Sequence, residues 1–178
     1  MSLNPLLEIL PPPKNPVEVP SAEDWSATET QLSRLPEDYK AFVGRFGTGN
    51  VSGFIWILNP ASENRYLNLH SELKPILSAL RELRESGEPC PYPLYPEPGG
   101  LLPFGKSENG DALYWLTIGE PERWPIVVNA ARDAVYEKFE CDMTDFLAGI
   151  LSRRIRCSVF PEGFPSGSPT FGSAPAGQ

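Results

Sequence analysis

The stretch 101-LLPFGKSENGDALYWLT-117 decides the fold. Asn109-Gly110 at its centre is the strongest short hairpin signal a chain can carry, because a tight reverse turn needs positive φ and these two residues accept it at least cost. Leu101 to Lys106 and Ala112 to Thr117 on either side are apolar and aromatic, and read as the paired strands of a hairpin. Further along, Ile126 to Asn129 behind Trp124-Pro125, and then Val135 to Phe139, read as two short strands. Upstream, Val51 to Leu58 is apolar and aromatic and follows a Gly-rich turn, which predicts one strand. Tyr92 to Tyr95 fits only an edge strand, since Pro93 cannot donate to a central ladder.

Four helices surround these strands. Ser21 is placed to cap the first, with Asp24 three residues on in a capping-box arrangement and Trp25, Glu29 and Leu32 on one face. The second opens at Pro36, with Glu37 and Asp38 at the positive end of its dipole; Tyr39, Phe42, Val43 and Phe46 form its apolar stripe and Gly47 ends it. The third buries Ile76, Leu77, Leu80 and Leu83 and stops at Gly87. Pro75 obstructs a helix running through it and so predicts the start there, with Asn68 and Ser71 as competing caps. The fourth takes Asp142 as its cap and Met143, Phe146, Leu147, Ile150 and Leu151 as its stripe. Helices first, then clustered strands with tight turns, then a closing helix predict an α+β fold. The expectation is a single domain, with a largely antiparallel sheet of about five to six strands packed by about four helices.

Residues 1–20 are Pro-rich and aperiodic, which predicts an extended N-terminal arm, with Leu6, Leu7 and Leu10 available for docking. Residues 157–178 turn to Ser, Gly, Pro and isolated Phe. Such a tail cannot offset its ordering entropy except where Phe160, Phe164 or Phe171 finds a pocket. The folded body is therefore expected at 21–156.

The chain has 178 residues, 15 Lys and Arg against 23 Asp and Glu, and one His. A net charge of -8 without a dense basic cluster argues against a direct nucleic-acid partner. A single His excludes any site built on two imidazoles. The longest apolar runs, such as 55-IWIL-58, fall far short of the roughly 20 residues a membrane span needs. The start lacks the basic leader of a secretory signal, and Cys90, Cys141 and Cys157 form neither a disulfide framework nor a zinc pattern. These features place the protein in the cytoplasm, with no metal and no cofactor, and they specify no oligomeric state.

Several residue sets invite a chemical reading. Gly47-Thr48-Gly49-Asn50-Val51-Ser52-Gly53 has the glycines of a phosphate loop, but the order is helix, loop, strand and no Lys follows, so a helix stop with a tight turn fits better. His70 could pair with a distant Ser, Cys or carboxylate in a hydrolase, although no nucleophile motif accompanies it; the simpler reading is a helix-entry or surface His. Trp25, Trp56, Trp115 and Trp124 all fall on apolar faces or strands, where core packing is the default, and any that is exposed becomes an interface anchor. Residues 91–147 hold ten acids against four bases and carry most of the net charge. They form either solvated loops or an acidic docking patch. On the second reading Glu108, Asn109 and Asp111 at the hairpin, with Glu120 and Glu122 in the next loop, face a partner.

An ordered set of pieces carries a family likeness: Trp25 and Glu29; 35-LPEDY-39; Phe42; Phe46-Gly47 with Gly49; 102-LPFG-105; 109-NGD-111; Trp115; 124-WPIVV-128; Phe139; and Phe146-Leu147. Over roughly 21–152 the chain resembles the SUKH superfamily, the SMI–KNR cell-wall-assembly-regulator family. It departs from that pattern at Ser33, where Gly is frequent, and in a longer Pro-rich linker at 89–98. The resemblance implies an α+β fold and no catalytic residue. Bacterial members look like immunity proteins that bind and block a polymorphic toxin, often a nuclease with a basic cleft; fungal and animal relatives look like interaction scaffolds. It therefore implies a protein partner, either a basic toxin domain or the client of a constitutive adaptor.

Overall fold

The Asn109-Gly110 hairpin is present in the computed structural model, which describes residues 3–175. Its strands, β3 (Leu101–Ser107) and β4 (Ala112–Leu116), pair antiparallel, and Gly110 takes a φ of 87° at the turn. A bulge between Pro103 and Gly105 interrupts the β3–β4 register and accommodates a proline within an internal strand. The remaining strands are β1 (Gly49–Val51), β2 (Ile55–Ile57), β5 (Ile126–Asn129), β6 (Tyr136–Phe139) and β7 (Phe171–Ser173). All seven join one antiparallel sheet in the order β6-β5-β4-β3-β2-β1-β7.

Both faces of this sheet are covered. Helices α1 (Asn4–Ile9), α2 (Ala22–Leu32), α3 (Glu37–Phe46) and α5 (Met143–Leu151) pack on one face, where Leu10, Tyr39, Phe42 and Phe146 meet Leu102, Phe104, Trp115 and Ile126. Helix α4 (Leu69–Glu85) lies over the other, bringing Leu77 and Leu80 against Leu101, Tyr114, Leu116 and Val127. Two-sided burial explains why β3, β4 and β5 are apolar almost throughout instead of alternating.

Four local expectations are corrected. Val51 to Leu58 is the tight hairpin β1–β2, because Asn50 Oδ1 accepts from the Gly53 N–H at 2.9 Å and turns the chain through positive φ at Ser52 and Gly53. Helix α4 starts at Leu69 and runs through Pro75. Asn68 caps it by accepting from the Ser71 N–H at 3.1 Å and is itself held by the carbonyls of Pro60 and Ser62; with the burial of Leu69, Leu77 and Leu80, this outweighs the proline's lost hydrogen bond. The beginning of the N-terminal arm is a helix, α1, and its Leu6, with Leu10 just past its end, is buried in the main core. Tyr92 to Tyr95 contributes a single bridge, Leu94 to Leu101. The seventh strand comes from the C-terminal tail, where Phe160, Phe164 and Phe171 do find pockets.

Candidate functional site

The five acidic-patch residues do not converge. Antiparallel β4 separates the hairpin at 108–111 from the loop at 117–125, so Glu108 and Asn109 stand at one end of the strand and Glu120 and Glu122 at the other. Glu108 is exposed and accepts from the Trp56 indole N–H. Asn109 is exposed at the turn. Asp111, by contrast, is 5% exposed: one oxygen accepts from the Ser107 hydroxyl at 2.6 Å and the other from the Ala131 N–H at 3.1 Å. It ties the β3–β4 turn to the β5–β6 loop. Glu120 and Glu122 both pair with Arg34, the former at 3.8 Å. Other acids of the stretch are partnered too: Glu97 with Arg84, Glu140 with Lys138, Glu137 with the Ser158 N–H and hydroxyl, and Asp142 as the cap of α5. The charge excess is therefore spread over several surfaces.

His70 is a structural tie. Its Nε2 lies 3.0 Å from the Thr28 hydroxyl, whose own proton is donated to the Asp24 carbonyl at 2.7 Å, so Nε2 must carry the hydrogen. Burial lowers the His70 pKa and favours this neutral form. Thr28 is 1% exposed, and among the described residues no carboxylate hydrogen-bonds the ring. The pair joins α2 to α4 and lines neither of the two clefts described below.

Trp115 and Trp124 are core residues, and Trp25 packs edge-on against Tyr39. Trp56 is the exception. It is half-buried in β2, opposite Lys106 in the register, with Glu108 on its indole nitrogen. Lys106 also pairs with Glu72 at 2.8 Å and stands over the ring of exposed Tyr66. Trp56, Tyr66, Lys106 and Glu108 thus make a mixed aromatic and charged surface beside the hairpin. Tyr66 carries no periodicity or motif in the sequence, so only the fold reveals it.

Two clefts open elsewhere. One of about 490 Å³ lies between α5, β6 and the tail, lined by Ile150, Arg153, Arg156, Cys157 and Phe160. A second of about 320 Å³ runs between α4 and the sheet, past Leu80, Leu83, Tyr114, Asn129 and Tyr136. Burial pushes the Cys157 thiol up to about 12, which disarms it as a nucleophile at neutral pH. Among the described residues, no three His, Cys, Asp or Glu side chains come together as a metal ligand set, and no helix is long and apolar enough to cross a membrane.

These features define an α+β single domain with an antiparallel sheet covered on both faces at its centre and a surface of mixed aromatic and charged side chains. The chain belongs to the SUKH_6 family: the family model described as SMI1-KNR4 cell-wall matches residues 22–147. Such proteins are commonly immunity proteins, and membership implies a protein partner. No curated protein and no solved structure matches the chain.

Proposed function

We propose that this protein is a non-catalytic binding module that neutralises a cognate polymorphic toxin, of the basic nuclease kind, by stoichiometric docking in the cytoplasm. The family match over 22–147 carries this reading. The domain at 21–156 supplies the docking surface, and the arms at 1–20 and 157–178 pack against it through Leu6, Leu10 and β7. Free thiols at Cys90, Cys141 and Cys157 suit a reducing compartment. The net charge of -8 would steer the molecule toward a basic cleft, and half-buried Trp56 with exposed Tyr66 would then anchor it. Glu108 and Asn109 stand beside those anchors, while Glu120 and Glu122 form a second acidic approach at the far end of β4. Asp111 acts from inside the turn by holding the hairpin in shape.

The test is co-purification with the toxin domains encoded beside this gene, followed by a Glu108→Lys, Glu120→Lys, Glu122→Lys variant assayed at several salt concentrations. The expected result is a complex whose association slows in the variant and loses its salt dependence, with protection of cells against the toxin falling in parallel. Association rates that stay unchanged in the triple variant would remove the electrostatic docking model. Turnover that disappears with His70→Ala would remove the non-catalytic reading.

A further inference from the structure

Both terminal arms converge on Gly47-Thr48-Gly49, the segment with the glycine spacing of a phosphate loop. The Thr48 N–H donates to the Val17 carbonyl at 3.0 Å, and the Thr48 carbonyl accepts from the Ala174 N–H at 2.9 Å. The glycines make room for these approaches: a Cβ on Gly47 would stand 2.1 Å from the Val17 oxygen, and one on Gly49 would stand 2.3 Å from the Gly172 oxygen. The tail then runs along β1 in register, Val51 with Phe171, Asn50 with Gly172 and Gly49 with Ser173, closed at its far end by the Ser52 N–H on the Thr170 carbonyl at 2.7 Å. The Phe171 ring sits 5.0 Å from that of Phe46 and 6.2 Å from that of Phe42. Gly172 suits the place beside it, since a Cβ there would crowd the Asn50 amide at 3.2 Å.

This tail strand differs from the rest of the sheet. It lies beyond the residues the family model matches, and, as in β6, none of its residues is fully buried. The connection 165-PSGSP-169 has a composition that favours an open chain as much as a docked one.

We propose that the β1 edge, with its notch between Phe42, Phe46 and Gly49, is a strand-docking groove for an extended segment of a protein partner that carries an aromatic residue followed by glycine. The chain's own Thr170–Ala174 is its resident, displaceable occupant. Main-chain hydrogen bonds to β1 supply the hold, the notch selects the aromatic, and the Asn50 amide favours a small residue such as glycine after it. The groove's chemistry is independent of whether the partner is a toxin.

Two measurements on the full-length chain decide the matter. In hydrogen exchange, the amides of Ser52 and Ala174 should exchange about 100-fold or more faster than those of β4, through local opening of the tail. Exchange of both only at the rate of global unfolding would overturn the latch. In the second, a labelled peptide of sequence SPTFGSA is titrated into wild type and into Phe171→Ala. The variant, with its groove vacated, should bind about tenfold or more tighter than wild type, whose groove is open only a fraction of the time. A peptide with Ala in place of Phe should not bind, and one with Val in place of Gly should bind more weakly. Equal affinity for both proteins, no binding to folded Phe171→Ala, or failure of that variant to fold would each refute a displaceable tail. A concentration-dependent dimer of the wild type that Phe171→Ala abolishes would refute the partner assignment and give the groove to a second copy.

Discussion

Asp38 sits where the N-termini of α3 and α5 meet. Its carboxylate accepts from the Thr144 N–H at 3.0 Å, yet burial, with the neighbouring Asp142 charge against it, pushes its pKa up to about 6. A carboxyl whose folded pKa lies above its ordinary 3.8 favours the folded state when protonated, so its contribution is fully present below pH 3.8 and is lost as pH rises through about 6. The loss amounts to about 2 kcal/mol once partial exposure of the group is allowed for. Asp38→Asn keeps an oxygen for Thr144 and removes the charge. Urea midpoints measured from pH 4 to pH 7.5 should show the variant gaining on the wild type by about that amount across the window, and parallel curves would contradict the assignment. Ser33 offers a second case. It holds φ 67° and ψ 178° at the end of α2, a region that suits glycine alone, and glycine is the residue the family resemblance leads one to expect there. Ser33→Gly should raise stability by about 1 kcal/mol, read as a higher denaturation midpoint with an unchanged slope.

At the scale of elements, the β3–β4 hairpin shows what a sequence can and cannot display. Asn109-Gly110 announces the turn because its signal is local. Glu108 and Asp111 look alike in the sequence, three residues apart on one acidic loop, and only the fold separates them: one side chain leaves the turn for solvent, and the other points inward to satisfy Ser107 and Ala131. Asp111→Ala should therefore cost about 1–3 kcal/mol by orphaning the buried Ser107 hydroxyl and releasing the Ala131 N–H, whereas Glu108→Ala should cost less than about 1 kcal/mol. Similar losses for the two variants in chemical denaturation would contradict this division of roles. The start of α4 was hidden for a related reason. Propensity speaks loudly at Pro75, while the fixing of Asn68 by Pro60 and Ser62 is tertiary and leaves no mark on a local window. Likewise Glu120 and Glu122 follow the hairpin closely in the chain, but the antiparallel strand between them carries the two acidic sites apart.

For the molecule as a whole, the apolar periods made the α+β class and the antiparallel sheet legible, and the two arms were the part least legible. Pro-rich composition argues for extension, but composition does not reveal a receptor, and here the receptor is the domain itself. The arms differ in kind. Phe171 is only partly buried at a sheet edge, whereas Leu6 and Leu10 of the N-terminal arm are 1% and 0% exposed within the same core as Phe42 and Phe146, beside α5. Truncating a fully buried leucine removes its transfer free energy and leaves a cavity, at a cost of about 2–5 kcal/mol. Leu10→Ala should accordingly lower the melting temperature by about 6–12 °C, taking a loss of about 3 kcal/mol at about 2–4 °C per kcal/mol for a chain of this length. Leu7→Ala, at a half-buried position of the adjoining helix α1, should shift it much less. If both variants melt together with the wild type, the N-terminal helix is not part of the cooperative core. If Leu10→Ala alone falls, a family domain matched from residue 22 depends for its stability on a segment that lies outside the match.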